Sequence, residues 1–563
     1  MQRIELLQVM SLYDKCLLTV AELSDSLGWN LVKDLPHHVL CDLIHLLPIC
    51  CLNAFHDDLN VKGINSQYVW IKHFKKKCKI NKYNRRREFR LPGDISQCDW
   101  RQKYHDNKAN MLLRQLMFFD DNKKDERVIK ALTDPLVQPA CLNISKSCYK
   151  YTPKSINIWG KTCNTLANNP IALEILANNV EEITFEHLLF PSESEAVADI
   201  IHKLLQKGHL YTITLKDVKY YFLDQFLYLV SRKHQLPECL MSSSAEPPKK
   251  RMKNDRSDLK VDPLPCSAIS QLRKISLIGV GFLIERMDTL RDLFSNIDGL
   301  EELELIDNDI SSSVDILSCL GLSVNNGQRL PSVFSYEQNI ISGCFKSLQE
   351  IIRYQGITET SNFITHLSLE FCSMTSLMLS QLFSIVSENK KIIFLSVHGN
   401  QANSMQSSLV KLFQDGCLQF LDLGQTKFTL SDQGITTDFV MQLLSAMMNN
   451  QHLKYLGLAS TLLSDACLMK LAEGLTDESS NSQLNRMDIS FNSKISSEGL
   501  RTFGIELQQS FIPLTLEHLR LQHNYTVGNE SSYFKALHEI VTVHLAGPSE
   551  DIETDFTDHV ANM

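Results

Sequence analysis

No run of about 18 uncharged apolar residues occurs in this chain, which argues against a membrane-spanning helix. Its most apolar stretch, VLCDLIHLLPICCLNAF, is interrupted by Asp42, His45 and Pro48. The opening MQRIELLQVMSLYDK is charged and lacks the apolar centre of a secretory signal. The sixteen cysteines include no C-x-x-C pair, which removes the usual spacing of zinc ribbons and dithiol redox motifs. In a chain without a secretion signal they are expected to be reduced and buried. The sequons at Asn143, Asn524 and Asn529 are then expected to stay unmodified. Phosphate-binding loop, nucleophile elbow, H-E-x-x-H and glycine-rich dinucleotide turn are all missing, so a non-enzyme is expected. A net charge of −9 argues against wholesale nucleic-acid binding.

What is present is a repeat. The template L-x-x-L-x-L-x-x-N returns at LEELELIDN (Leu300, Leu303, Leu305, Asn308) and IIFLSVHGN (Ile392, Leu395, Val397, Asn400). It returns again at LNRMDISFN (Leu484, Met487, Ile489, Asn492) and LEHLRLQHN (Leu516, Leu519, Leu521, Asn524). Looser copies start at Val180, Leu210, Leu272, Ile364, Leu418 and Leu453, some with Cys372, Thr426 or Thr461 in place of Asn. Uninterrupted neighbours are 26 to 35 residues apart, room for a strand and a helix. LSDACLMKLAEGL and ISSEGLRTFGIELQQ carry helical apolar spacing. Each repeat alone exposes an apolar flank that stacking buries. The expected fold is therefore α/β: a leucine-rich repeat solenoid, a horseshoe with a parallel sheet inside and helices outside. The expected domains are a small all-α module over 1–110, a helical connector over 111–175, the solenoid over 176–545 and an acidic tail over 546–563. A polar insertion at 241–265 reads as disordered, and the stretch between Leu300 and Ile364 does not resolve into a repeat.

Near the start, Leu12, Cys16 and Val20 fall at spacing four, one face of a helix that Ser11 can cap. Leu35-Pro36-x-x-Val39-x-x-x-Leu43 follows, with Pro36 suited to a helix start. The first pattern resembles a BC box and the second a cullin box. In that order, ahead of a leucine-rich solenoid, the chain resembles the elongin BC-box substrate receptors of cullin-RING ubiquitin ligases. The likeness extends through FEHLLF (Phe185–Phe190), MDISFN (Met487–Asn492) and the tail FTDHVANM. It implies helix-in-groove docking of Ser11, Leu12, Cys16 and Val20 on elongin C, with elongin B beside it. It implies contact of Leu35, Pro36, Val39 and Leu43 with a cullin that brings a RING-box protein, and residence in cytoplasm and nucleus. The resemblance favours cullin 5 as that cullin. His38 stands where the usual L-P-x-P has its second proline, so cullin 2 stays open. The same segment, with Trp70 behind it, also resembles an F-box, which would give a Skp1–cullin-1 receptor. A scaffold unconnected with ubiquitin is the third reading.

His37, His38, Cys41, His45, Cys50, Cys51 and His56 crowd together without paired-ligand spacing, so buried cysteines and solvent-facing histidines are expected there, with no metal or other cofactor. Lys72 to Arg90 is a basic run read as a solvated face or an import signal. Lys249, Lys250, Arg251 and Lys253 in PPKKRMK make the better nuclear import candidate. On the concave sheet, the residue before each fourth template position forms a stripe: His366, Phe394, Phe420, Tyr455, Arg486, His518. Phe394, Phe420, Tyr455 and Arg486 are the expected substrate-reading residues, the three aromatics exposed.

Overall fold

The computed structural model describes residues 12–27, 32–77, 99–116, 124–133, 152–188, 191–218, 271–280, 291, 297, 299–308, 310, 314–319, 330–357, 363–401, 406–426, 437–477, 482–510, 514–521, 524, 537 and 541–544. The chain divides into two compact units, one built on Met1–Phe185 and one on Glu186–Asp555.

The first unit opens with helices α1 (Leu12–Leu27), α2 (His37–Leu43), α3 (Ile49–Val61), α4 (Gln67–Lys77), α5 (Trp100–Gln115) and α6 (Lys124–Thr133). Pro36 and Pro48 sit at the N-caps of α2 and α3 in extended conformation, so each proline ends what precedes it and frames the next helix. Leu17 and Ala21 of α1, Leu40 and Leu43 of α2, Leu52 and Phe55 of α3 and Trp70 of α4 close one core. Asn53 ties α3 to α5: its side-chain oxygen accepts from Arg101 Nε (2.7 Å) and from His105 Nε2 (2.9 Å). The segment 111–175, expected to be a helical connector, also holds a strand, β1 (Ser155–Trp159), before α7 (Gly160–Ala167), α8 (Pro170–Asn179) and β2 (Glu182–Glu186). Its apolar signal is too short to separate from a helix by spacing alone. Asn110 on α5 acts as a pairing partner for β1, accepting from Asn157 N (2.8 Å) and donating to Ser155 O (3.3 Å). A helix side chain thereby occupies backbone groups of β1 that a sheet edge leaves open.

The second unit runs α9 (Pro191–Lys207), β3 (Thr212–Lys216), β4 (Lys274–Ile278), β5 (Glu302–Ile306), α10 (Ile316–Cys319), β6 (Val333–Glu337), α11 (Phe345–Ile357) and β7 (His366–Ser368). It continues α12 (Ser376–Glu388), β8 (Phe394–Ser396), α13 (Gln406–Asp415), β9 (Phe420–Asp422), α14 (Thr437–Met448), β10 (Tyr455–Gly457) and α15 (Asp465–Thr476). It ends β11 (Arg486–Asp488), α16 (Ser497–Gln508), β12 (His518–Arg520) and β13 (Thr542–His544). The pairs from β3 to β9 are parallel, each strand bonded to its sequence neighbour. So are those from β9 to β13. Among the described residues the second unit thus holds eleven strands, β3 to β13, whose order in the sheet is their order in the chain. The leucine-rich solenoid is the α/β fold of this protein.

Template side chains point inward: Leu303, Leu367, Leu395, Leu421, Leu456, Met487 and Leu519 are all 0% exposed. Thr375, Ser464 and Ser496 cap α12, α15 and α16, each accepting from the backbone N–H three residues on. The stretch before Ile364, where the sequence template finds no match, contains a further repeat. Phe334 and Tyr336 on β6 fill the leucine positions and Asn339 the asparagine position, all at least 97% buried. Aromatics stand where the template asks for leucine.

The asparagine position has a specific task. Asn492 Nδ2 donates to Leu458 O (2.9 Å) and Ile489 O (2.8 Å), and its Oδ1 accepts from Thr461 N (2.9 Å) and Leu463 N (3.0 Å). Asn400 serves Leu369 O, Val397 O, Cys372 N and Met374 N in the same manner. Asn524 of the sequon belongs to this ladder, buried and accepting from Asn492 N at 2.7 Å. Where Thr replaces Asn, one hydroxyl donates to one carbonyl, Leu423 O for Thr426 and Leu458 O for Thr461. The residue just before this position is left-handed in every repeat that shows it, from His187 through Gln338 and Phe371 to Phe491. At Gly399 a side chain would also collide, because an added Cβ would stand 2.3 Å from the Phe371 ring.

Two stability predictions follow. Asn492→Ala strips four buried backbone groups of their partner and is expected to cost about 3 kcal/mol or more, read by chemical denaturation. In the first unit, burial, then the Arg101 charge, lowers His105 from its ordinary 6.5 to about 3. The unfolded chain therefore takes up the proton first, and the stability His105 confers is complete above pH 6.5 and lost as pH falls toward 3. Between pH 7 and 5 that loss is about 2 kcal/mol, and His105→Gln is expected to flatten the melting-temperature slope over that window.

Candidate functional site

Each unit presents one candidate surface. In the first it is α1. The buried side of this helix is Leu17 (6% exposed), Ala21 (2%) and Ser24 (0%), packed against α2 and α3. Tyr13 fixes its start by donating from its hydroxyl to Asp42 Oδ2 on α2, at 2.8 Å. The face rotated about 100° away carries Cys16, exposed, Val20, half-buried on the module core, and Leu23, 48% exposed. Leu12 belongs to this second stripe by helical register; its side chain lies outside the described residues, as does Ser11 entirely. The L-x-x-x-C-x-x-x-V pattern stops short of Leu23, whose signal is its place seven residues after Cys16, two turns along the same face. Helix α1 thus has two apolar stripes, one spent on its own module and one turned outward.

The residues likened to a cullin box divide differently. Pro36 is exposed, and Leu35 and Val39 are half-buried against the module core. Leu43 is wholly buried at 0% exposure, so its expected place in a cullin contact is corrected to core packing; it lies one turn after Val39 on the inward side of α2. In the His/Cys cluster, His37, His38 and His45 are exposed, but His56 is not the solvent-facing residue expected. It is 5% exposed and bonded to Ser66 Oγ (2.8 Å) and Asn60 Nδ2 (3.1 Å). Among the described residues no three His, Cys, Asp or Glu side chains gather around a common point suited to a metal ion, and no helix is long and apolar enough to cross a membrane. Lys249, Lys250, Arg251, Lys253, the insertion 241–265, the tail 546–563 and most of Lys72 to Arg90 lie outside the described residues.

In the second unit the concave rows are in register. His366, Phe394, Phe420, Tyr455, Arg486 and His518 pair strand to strand from β7 to β12. Four rings stack: His366 on Phe394 (5.4 Å), Phe394 on Phe420 (3.9 Å), Phe420 on Tyr455 (4.1 Å, planes 4° apart). The three aromatics were expected to be exposed. Only Phe394 is partly so; Phe420 is 4% and Tyr455 1% exposed, because each ring shields the faces of its neighbours. Arg486 follows, half-buried, its Nε buried and without a hydrogen-bond partner. Burial lowers its pKa, with Glu517 opposing. Beyond this row, hydroxyls and carboxylates of the same face bond to one another: Ser276 donates to Glu304 (2.6 Å), Ser368 to Glu337 (2.6 Å) and Ser396 to Glu370 (2.7 Å).

No family model matches the chain. Over 214 residues, 37% of this chain, it is 28% identical to Leucine-rich repeat-containing protein 41 of Homo sapiens. The protein of the same name from Bos taurus matches at the same identity over the same share. The match spans a quarter, 25%, of the length of these relatives. A Bacteroides fragilis protein of solved structure aligns over 71% of this chain and 74% of its own at 11% identity, with a TM-score of 0.23.

The stack carries a prediction of its own. Phe420→Ala empties a buried slot between two rings and is expected to destabilise the second unit by about 3 kcal/mol. Phe394→Ala, at the partly open end, is expected to cost roughly 1 kcal/mol. Urea titration of the purified chain separates the two.

Proposed function

We propose that this chain is a substrate-recognition subunit of an elongin BC–cullin-RING ubiquitin ligase, non-catalytic itself. The reading rests on one observation: α1 keeps Cys16, Val20 and Leu23 on an outward stripe while Leu17 and Ala21 hold the helix to its module. An apolar helix face of this kind fits a groove on a partner, and the small Cys16 lets the helix backbone come close. Elongin C is the partner of choice, given the match of Ser11, Leu12, Cys16 and Val20 to a BC box; cullin 5, or cullin 2, would follow through the segment from Leu35. The similarity to Leucine-rich repeat-containing protein 41 supports the repeat half of this reading. The contribution to catalysis is proximity: a substrate held on the repeats brings its lysine near the ubiquitin thioester. The F-box reading, with Skp1 as adaptor, leaves the outward stripe of α1 without a use.

The test separates docking from folding. Leu12→Glu with Cys16→Glu is expected to abolish co-purification of elongin B and C, while Cys16, being exposed, leaves the melting transition within about 0.5 kcal/mol of the parent. Elongin retained by the double variant, or Skp1 recovered in its place, overturns the proposal.

A further inference from the structure

The concave face of the second unit changes chemical character along its length. At β5 to β7 it bears Glu302, Glu304, Glu337 and Glu370, of which Glu302 and Glu304 are ion-paired with Lys274 at 2.8 and 2.9 Å. At β7 to β10 it bears the stacked rings of His366, Phe394, Phe420 and Tyr455. At β11 and β12 it bears Arg486, His518 and Arg520. Arg520 has its counter-ion in Asp488 at 3.4 Å. Arg486 forms no ion pair among the described residues: Glu517 is the carboxylate whose charge reaches it, from beyond hydrogen-bonding distance, and its Nε is buried without an acceptor. A half-buried guanidinium with an unmet donor is costly to keep on a sheet face where Glu302, Glu304 and Arg520 have ion partners. A planar fork of N–H donors recognises a carboxylate in two places at once.

We propose that Arg486 anchors an acidic side chain, Asp or Glu, of an extended peptide segment in the captured protein, with an apolar residue of the same segment lying on the His366–Phe394 end of the ring stack. The proposal deepens the reading of this face as the capture surface and rests on it. Direction follows from charge. Glu337 and Glu370, held by neutral serine hydroxyls, repel an acidic residue that Arg486 attracts, so the acidic end lies toward β11. Spacing follows from geometry. Phe394 on β8 and Arg486 on β11 are three strands apart along the registered row. That is about 14 Å, and an extended chain covers it in about four residues.

The test uses the full chain and short random linear peptides displayed for selection against it. Selected sequences are expected to carry Asp or Glu about four residues from an aromatic or aliphatic residue. A synthetic peptide of that sequence is then titrated by fluorescence anisotropy. Arg486→Gln is expected to weaken it about tenfold or more, Arg486→Glu further, and Arg486→Lys much less, the far-ultraviolet circular dichroism of all three being unchanged. Replacing the acidic residue of the peptide by Lys is expected to restore binding to the Arg486→Glu chain alone. Selection of no peptide, selection of peptides without an acidic residue, or full binding by Arg486→Gln each overturns the proposal. Elongin B and C capture is measured on the same variants. Peptide recognition without elongin leaves the assignment of Arg486 standing and removes the ligase; elongin capture with binding indifferent to Arg486 does the reverse.

Discussion

A parallel sheet built by stacking one short strand per repeat must turn the chain inside its own core at every step. Each turn leaves carbonyls and amides where water does not reach them, and an unmet buried backbone group costs on the order of 1–3 kcal/mol. The asparagines answer this demand. An amide side chain both donates and accepts, so Asn400 and Asn492 each meet two carbonyls and two amides of adjoining turns. The neighbours connect: Asn308 N donates to Asn339 Oδ1 and Asn492 N to Asn524 Oδ1. Threonine is a partial substitute: its hydroxyl meets one carbonyl of its own turn, Leu458 O for Thr461, where Asn492 meets a carbonyl of the preceding repeat as well.

With the backbone satisfied from within, side chains of the strands divide cleanly. Alternate residues face the core and are fixed as Leu, Ile, Val, Met or, at β2 and β6, aromatic residues. The residues between them face the other way and answer to different constraints. Along that face carboxylates are held by serine hydroxyls, rings by rings, and Arg520 by Asp488. Arg486 stands out against this background because the same local logic does not reach it.

Much of this was legible in the sequence wherever the governing constraint is periodic. The template leucines and asparagines sit where the spacing places them, and the row from His366 to His518 is in register as read. The repeat at β6 was not legible because its inward residues are Phe334 and Tyr336, equal in role to leucine but not in name. Strand β1 was hidden among helices by its brevity. Burial was the least legible quantity. Spacing four reports one helix face; it does not report which face the module takes. Leu17 and Ala21 won that place from Leu12, Cys16 and Val20 through their contact with α2 and α3. Likewise the outward position of Phe420 and Tyr455 was readable, but the mutual cover of stacked rings was not.

The division of α1 into two apolar stripes bears on how such a helix could work. A lone helix without packing would fray, and a partner would then have to order it at a cost of about 1–2 kcal/mol per residue. Here the inner stripe and the Tyr13–Asp42 hydrogen bond order the helix in advance. The outer stripe is left ready-made, so that association loses little more conformational freedom. A helix with a single stripe would have to choose between being held and being used. The same reasoning explains why Leu43 belongs to the core: α2 can brace α1 only if its own inward residues stay at home, and Leu40 and Leu43 are both buried to within 1%. At the start of α2, Pro36 stays exposed and Leu35 and Val39 half-buried.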